Sequence, residues 1–402
     1  MDQDDLYSGQ PFWRLVGPPP DSFPRLAEDA TCEVAIIGGG ITGALAAQQL
    51  ARSGVDTLIV DRETFATGST VASTGLIEYE LDWPLIKLIE RFGEAAAVRA
   101  YRCGLEAVEQ LAGLNEALRV DCGFQRRPTV QIASQPADVP VLREEARCRQ
   151  HFGFEVECFE RDALREFGGF AAPGALWSRG DAELDPYRFT QGVLRQIADS
   201  GGRAFANTEV CSLRESSNAV ELETNGGRIT ARSVIVATGY ASGRFLRHDV
   251  GVLRTTYAAV SQPLADFASW PERCLIWETA HPYFYARTSE DGRAIIGGED
   301  TASPGDHENK ELLRRKVAQL TTRFAALFPD IEFQLAGAWA GVFGESRDGL
   351  PSIGRAPGSQ RIYHALGYGG NGITFGMVAA QILSDLILGR PNADAAIFGF
   401  ER

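Results

Sequence analysis

The segment Gly38-Gly39-Gly40-Ile41-Thr42-Gly43 has the residue types and spacing to hold a pair of phosphates. Gly38 permits a tight turn, Gly40 lets a pyrophosphate approach the backbone, and Gly43 allows close helix–strand packing, while a following helix presents its unpaired N–H groups to the anion. Asp61 lies about twenty residues further on, where a carboxylate accepts hydrogen bonds from both hydroxyls of an adenosine ribose and repels a 2′-phosphate. Arg62 follows it directly.

The elements that must position these residues are readable around them. An apolar run ending at Ile37 precedes the glycines, an apolar helix follows, Gly54 suits its stop, and a second strand over 57–60 ends on Asp61. That order is a nucleotide-binding βαβ unit. The pattern alone is weak, since Gly367-Tyr368-Gly369-Gly370-Asn371-Gly372 matches it too, and it is the flanking strand, helix and acid that single out the copy at Gly38.

The rest of the chain bounds the function. With 402 residues and 44% apolar content, two domains with large cores are expected. A net charge of −14 with no basic stripe excludes a nucleic-acid partner and mildly favours a cationic substrate. The 7 cysteines are scattered without CxxC spacing and suit a reduced, cytoplasmic setting, and the 5 histidines show no metal-ligand spacing, so no metal is expected. The acidic first five residues do not resemble a secretory signal, and no transmembrane segment is expected.

Further along, Gly68-Ser69-Thr70-Val71-Ala72-Ser73-Thr74-Gly75 forms a hydroxyl-rich loop able to run along a pyrophosphate or a ring edge. Helical periodicity covers 84–118, a strand is expected over 129–133, and two more helices reach 167. Alternating runs on either side of Asn225-Gly226-Gly227 read as a hairpin, and the apolar strand that follows ends in Thr238-Gly239, small enough to touch a ligand. A strand-rich insertion and a helix over 311–327 precede a last helix over 373–388. The fold class is therefore α/β, with residues 1–80, 181–245 and 336–402 forming a cofactor domain and residues 81–180 and 246–335 a discontinuous antiparallel-sheet substrate domain.

These motifs, in this order, resemble the FAD-dependent D-amino-acid-oxidase-like oxidoreductases, among them glycine and sarcosine oxidases, D-amino-acid dehydrogenases and γ-glutamylputrescine oxidoreductases. The resemblance implies a glutathione-reductase-like FAD-binding domain with an extended FAD. Adenosine would lie at Asp61 and Val210, the pyrophosphate at 38–43, and the flavin between 68–75 and Gly369, Gly370, Asn371, Gly372, Ile373 and Thr374. The N-terminus of the last helix would then stabilise the reduced, anionic ring. Where glycine oxidases carry an arginine that clamps the substrate carboxylate, this chain has Phe343, which favours an amine over an amino acid. Arg254 or Arg287 could substitute for it from another strand. The flavin-linking cysteine and the oxygen-activating lysine of sarcosine-oxidase-like enzymes have no evident counterpart. FAD is expected to be non-covalent, with oxygen or another carrier as acceptor.

The implied reaction is oxidation of a C–N bond by hydride transfer to flavin N5, which needs positioning more than acid–base groups. Candidate substrate contacts are Tyr283, Tyr285 and Arg287 on one strand face, with Trp339 and Phe343. An NAD-dependent dehydrogenase leaves the Ser/Thr loop and the terminal glycine turn unexplained, and a disulfide reductase wants a cysteine pair. A flavin-binding subunit without turnover is the remaining alternative.

Overall fold

The computed structural model describes residues 6–168, 171–245 and 251–402. The acidic run 1–5 and the expected domain junction after 245 touch on residues outside that set.

The strand Ala30–Ile37 becomes wholly buried over its last residues, and it lies parallel to Thr57–Val60 on one side and Arg228–Val236 on the other. A strand buried on both faces must be continuously apolar, which is what its sequence supplies. An eight-stranded sheet grows from this centre, with Arg203–Phe205 at one edge and Ile362–Leu366 and Ser352–Arg355 at the other. The expected hairpin is present as Val220–Thr224 paired with Arg228–Val236. Helix Ile41–Arg52 packs against Thr374–Ile387, and Gly376 brings the two close where a Cβ would stand 3.3 Å from Thr42 Oγ1.

The second sheet has ten strands and is mainly antiparallel. Its path runs from Tyr7–Gly9 through Leu335–Glu345, Val252–Ser261, Ala294–Thr301, Phe284–Thr288 and Leu275–Glu278 to Gln125–Ile132, Gly174–Glu183 and Leu76–Ile77. Helix Lys310–Leu327 covers it by burying Val317, Leu320 and Phe324 in a core that includes Trp270 and Phe328. The single helical stretch expected over 84–118 is two helices, Leu85–Phe92 and Glu94–Ala117, because Gly93 turns the chain at φ 81°. Behind Leu76–Ile77 the fully buried Arg149 joins Glu80 and Glu145 and donates to Tyr101 Oη at 3.4 Å.

Candidate active site

A cavity of about 520 Å³ lies between the two sheets and takes wall residues from both. Its wall includes Asp61, Arg62 and Val210, together with Gly38, Gly40, Ile41 and Thr42 and with Thr238 and Gly239. Asp61 Oδ2 accepts from Gly39 N–H at 2.7 Å and Oδ1 from Glu63 N–H at 2.9 Å. Burial raises the Asp61 pKa and these N–H groups lower it, so the same donors that fix the side chain favour its charged form. Gly43 is not on the wall. Its role is packing, since a Cβ there would lie 1.9 Å from Gly38 O.

The hydroxyl-rich loop over 68–75 is held from behind. Residues Ser69–Ala72 make a single helical turn, which leaves its last carbonyls without intrahelical donors. Trp339 Nε1 donates to Ala72 O at 2.8 Å, Trp13 Nε1 to Ser73 O at 2.6 Å, and Arg287 Nη1 to Gly75 O at 2.8 Å and Thr74 O at 3.2 Å. Thr70 Oγ1 in turn accepts from Ile41 N–H at 2.9 Å, tying the loop to the start of the phosphate helix. Gly68, Ser69, Thr70, Ala72, Ser73 and Thr74 then line the cavity.

Two sequence expectations are corrected by this arrangement. Trp339 and Arg287 do not line the cavity: both are buried, and their donors are spent on loop carbonyls. Arg287 also lies 3.3 Å from Glu183 and 5.5 Å above the Trp13 ring. Strand alternation does put it on the face of Tyr283 and Tyr285, but further along the strand than the cavity extends. Arg254 pairs with Glu345 at 2.6 Å. Asp348 is paired with Arg402 at 2.7 Å.

On the opposite wall are Gly369, Gly370, Asn371, Gly372 and Ile373, while Thr374 begins the helix behind them. Gly369 sits at φ 60°, and a Cβ there would fall 1.9 Å from Asp82 Oδ2, so the turn and the carboxylate require a glycine. Asp82 Oδ2 accepts from Gly370 N–H at 3.4 Å. Asp82 is exposed on the cavity, and the protein around it removes part of its solvation. That desolvation, with Glu345 nearby, pushes its pKa up to about 6.

Tyr283, Tyr285, Trp277, Phe343 and His281 complete this end, together with Leu76 and Glu78. Gly297 makes room for the Tyr285 ring, whose hydroxyl would stand 2.2 Å from a Cβ at that position. No lysine or cysteine is on the wall among the described residues, nor do those residues include a metal-holding cluster. Glu78 and Asp82 escaped the sequence reading. The signal was available, because Glu78-Tyr79-Glu80-Leu81-Asp82 alternates acid with apolar or aromatic residues directly after the loop.

The donors present fit a flavin dinucleotide. Asp61 suits ribose hydroxyls, the glycine turn and helix N-terminus suit phosphates, and Ser69 Oγ and Thr238 Oγ1 are buried atoms without hydrogen-bond partners. In comparisons with known proteins, the family described as "DAO: FAD dependent oxidoreductase" matches residues 33–386. The chain is similar to glycine oxidase of Bacillus licheniformis, with 26% identity over 89% of this chain and 93% of that protein. It is similar to gamma-glutamylputrescine oxidoreductase of Escherichia coli K12, with 24% identity over 91% and 86%. The solved glycine oxidase of Geobacillus kaustophilus shares the fold at TM-score 0.76 and 22% identity, over 93% of this chain and 99% of that one.

Proposed function

The chain belongs to the DAO family of FAD-dependent oxidoreductases, and from that premise we propose that it oxidises the C–N bond of a small amine in preference to an amino acid. The observation that carries this reading is the character of the cavity's substrate end. Asp82 and Glu78 face it beside Tyr283, Tyr285, Trp277 and Phe343, while the nearby guanidiniums of Arg254 and Arg287 are engaged elsewhere. A carboxylate of an amino acid would meet acids and rings there. An alkylammonium would meet a counter-charge and π faces, each cation–π contact contributing about 0.5–2 kcal/mol.

Residues 38–43, Asp61, 68–75 and 369–374 would hold FAD, which when bound would supply the two-electron acceptor for hydride from the carbon next to nitrogen. The chain's own work is to bind, orient and deprotonate. Asp82 in its charged form pairs with the substrate ammonium and takes a proton from it, releasing the neutral amine that can yield hydride. The Gly370 N–H, at 3.4 Å, steadies the carboxylate while it is charged. Tyr283 and Tyr285 fix the carbon chain, and Phe343 keeps water from one side.

The division into a cofactor domain (1–80, 181–245, 336–402) and a substrate domain (81–180, 246–335) fits this assignment. A cavity wall without cysteine supports non-covalent FAD, and one without lysine supports slow use of oxygen and a different electron carrier. The 7 free cysteines suit the cytoplasm, and no helix among the described residues is long and apolar enough to cross a membrane.

Anaerobic mixing of the flavin-loaded protein with a panel of amines, glycine, sarcosine and D- and L-amino acids tests the reading. Amines bleach the flavin fastest if it holds. Faster bleaching by amino acids overturns the preference, and bleaching by nothing in the panel favours a flavin-carrying subunit.

A further inference from the structure

We propose that the substrate carries a second fixed positive charge and that Glu78 receives it, which makes linear diamines the substrate class. The inference rests on the amine-oxidation reading above and adds a second anchor to it. Glu78 follows the edge strand Leu76–Ile77. Alternation turns Leu76 and Glu78 to the cavity and sends Ile77 and Tyr79 into the core, where each is 0% exposed.

Glu78 Oε1 is a buried atom with no hydrogen-bond partner, on a side chain that lines the cavity. Its charged neighbours are Asp181, Glu80 and Asp82, all acids. The buried cation beside Glu80, Arg149, is already committed to Glu80 and Glu145. On the cavity wall, Trp277 also has a buried Nε1 without a partner. An oxygen so placed lacks a donor within the protein, and its side chain is part of the cavity wall.

The two acids are attached to different parts of the flavin cradle. Glu78 lies three residues beyond Gly75, the end of the loop held by Trp13, Trp339 and Arg287, whereas Asp82 accepts from Gly370 in the terminal turn. Asp82 is four positions after Glu78, with three residues between them, so their Cα atoms are at most about 14 Å apart. In the diamine reading each acid receives its own ammonium. A monoamine seated at Asp82 leaves Glu78 without a counter-charge, whereas a diamine supplies one to each. The same wall also offers Leu76, Tyr285 and Phe343, surfaces suited to methylenes.

The test uses the FAD-loaded protein without oxygen and measures equilibrium binding by perturbation of the flavin spectrum and by thermal shift. Diaminobutane and n-butylamine are compared first, then diaminoalkanes of increasing length against matched n-alkylamines. At least one diamine is expected to bind about tenfold or more tightly than its monoamine, the range for a hydrogen bond to a charged group. Glu78→Gln should collapse that ratio toward unity. Glu78→Asp, one methylene shorter, should keep a preference but move its optimum to a longer diamine.

Equal binding of diamines and monoamines by the native protein overturns the proposal, as does an undiminished ratio in Glu78→Gln. If Glu78→Gln fails to take up FAD, the native ratio and the length shift in Glu78→Asp decide. Should neither amine class perturb the flavin while α-amino acids do, the amine reading itself has failed. That outcome is distinct from tight but equal binding of both amine classes, which removes only the second anchor.

Discussion

Trp13→Phe isolates one hydrogen bond of the flavin-loop clamp. The indole is 4% exposed and donates to Ser73 O at 2.6 Å, so the substitution keeps an aromatic ring but leaves a loop carbonyl without its donor. An unsatisfied buried acceptor costs about 1–3 kcal/mol. The neighbouring contacts with Phe12, at 4.9 Å between centroids, and with Arg287, at 5.5 Å, are weakened rather than lost. Taking about 2 kcal/mol, and allowing that part falls on global stability, FAD affinity should drop by about five- to thirtyfold. Titration of the apoprotein with FAD, followed by flavin fluorescence, measures it, with urea unfolding of the apoprotein to apportion the rest. Trp339→Phe should act in the same direction through Ala72 O. Since both donors hold one loop, the double variant should deviate from additivity. FAD affinity and apoprotein stability both unchanged in Trp13→Phe would refute the clamp.

Other perturbations probe separate parts of the account. Gly43→Ala drives a Cβ to 1.9 Å from Gly38 O, a clash between backbones that cannot relax cheaply, so the flavin-to-protein ratio of the purified variant should fall steeply. Asp82 has a pKa of about 6, so amine kcat/KM should rise as pH increases through that value and the carboxylate forms; Asp82→Asn should lose this limb and about a hundredfold or more in rate. Arg149→Leu strands Glu80 and Glu145 in the core and should cost about 3–5 kcal/mol in urea unfolding. His364 is 0% exposed, and burial lowers its pKa to about 4. The unfolded chain therefore takes up a proton first as pH falls from the ordinary histidine value. Stability present above about 6.5 is lost progressively down to about 4, on the order of 3 kcal/mol in all, and His364→Leu should flatten that dependence.

That the residues assigned to a cofactor would come together on one cavity was legible because phosphate and ribose call for local spacing. Gly38 to Gly43, Asp61 and the loop after Gly68 are each recognisable within a few residues of one another, and the glycines after Gly367 mark a turn wherever they occur. The substrate half was not, because it depends on which way side chains face across strands distant in sequence. Trp339 and Arg287 have suitable chemistry for a substrate, yet pairing within the ten-stranded sheet aims them at orphan carbonyls of the loop. Trp13 lies outside the span matched by the family and carried no motif. Asp82 and Glu78 were hidden in a short irregular stretch after an edge strand, where only the period-two acids gave a sign.

The central claim, that an ammonium and not a carboxylate is recognised over the flavin, is tested most directly by the anaerobic rate of flavin reduction for one matched pair: an n-alkylamine and the α-amino acid made by adding a carboxylate to its reacting carbon. Reduction by the amine should be faster at equal concentration, with the advantage lost in Asp82→Asn. Faster reduction by the amino acid in the native protein would contradict it.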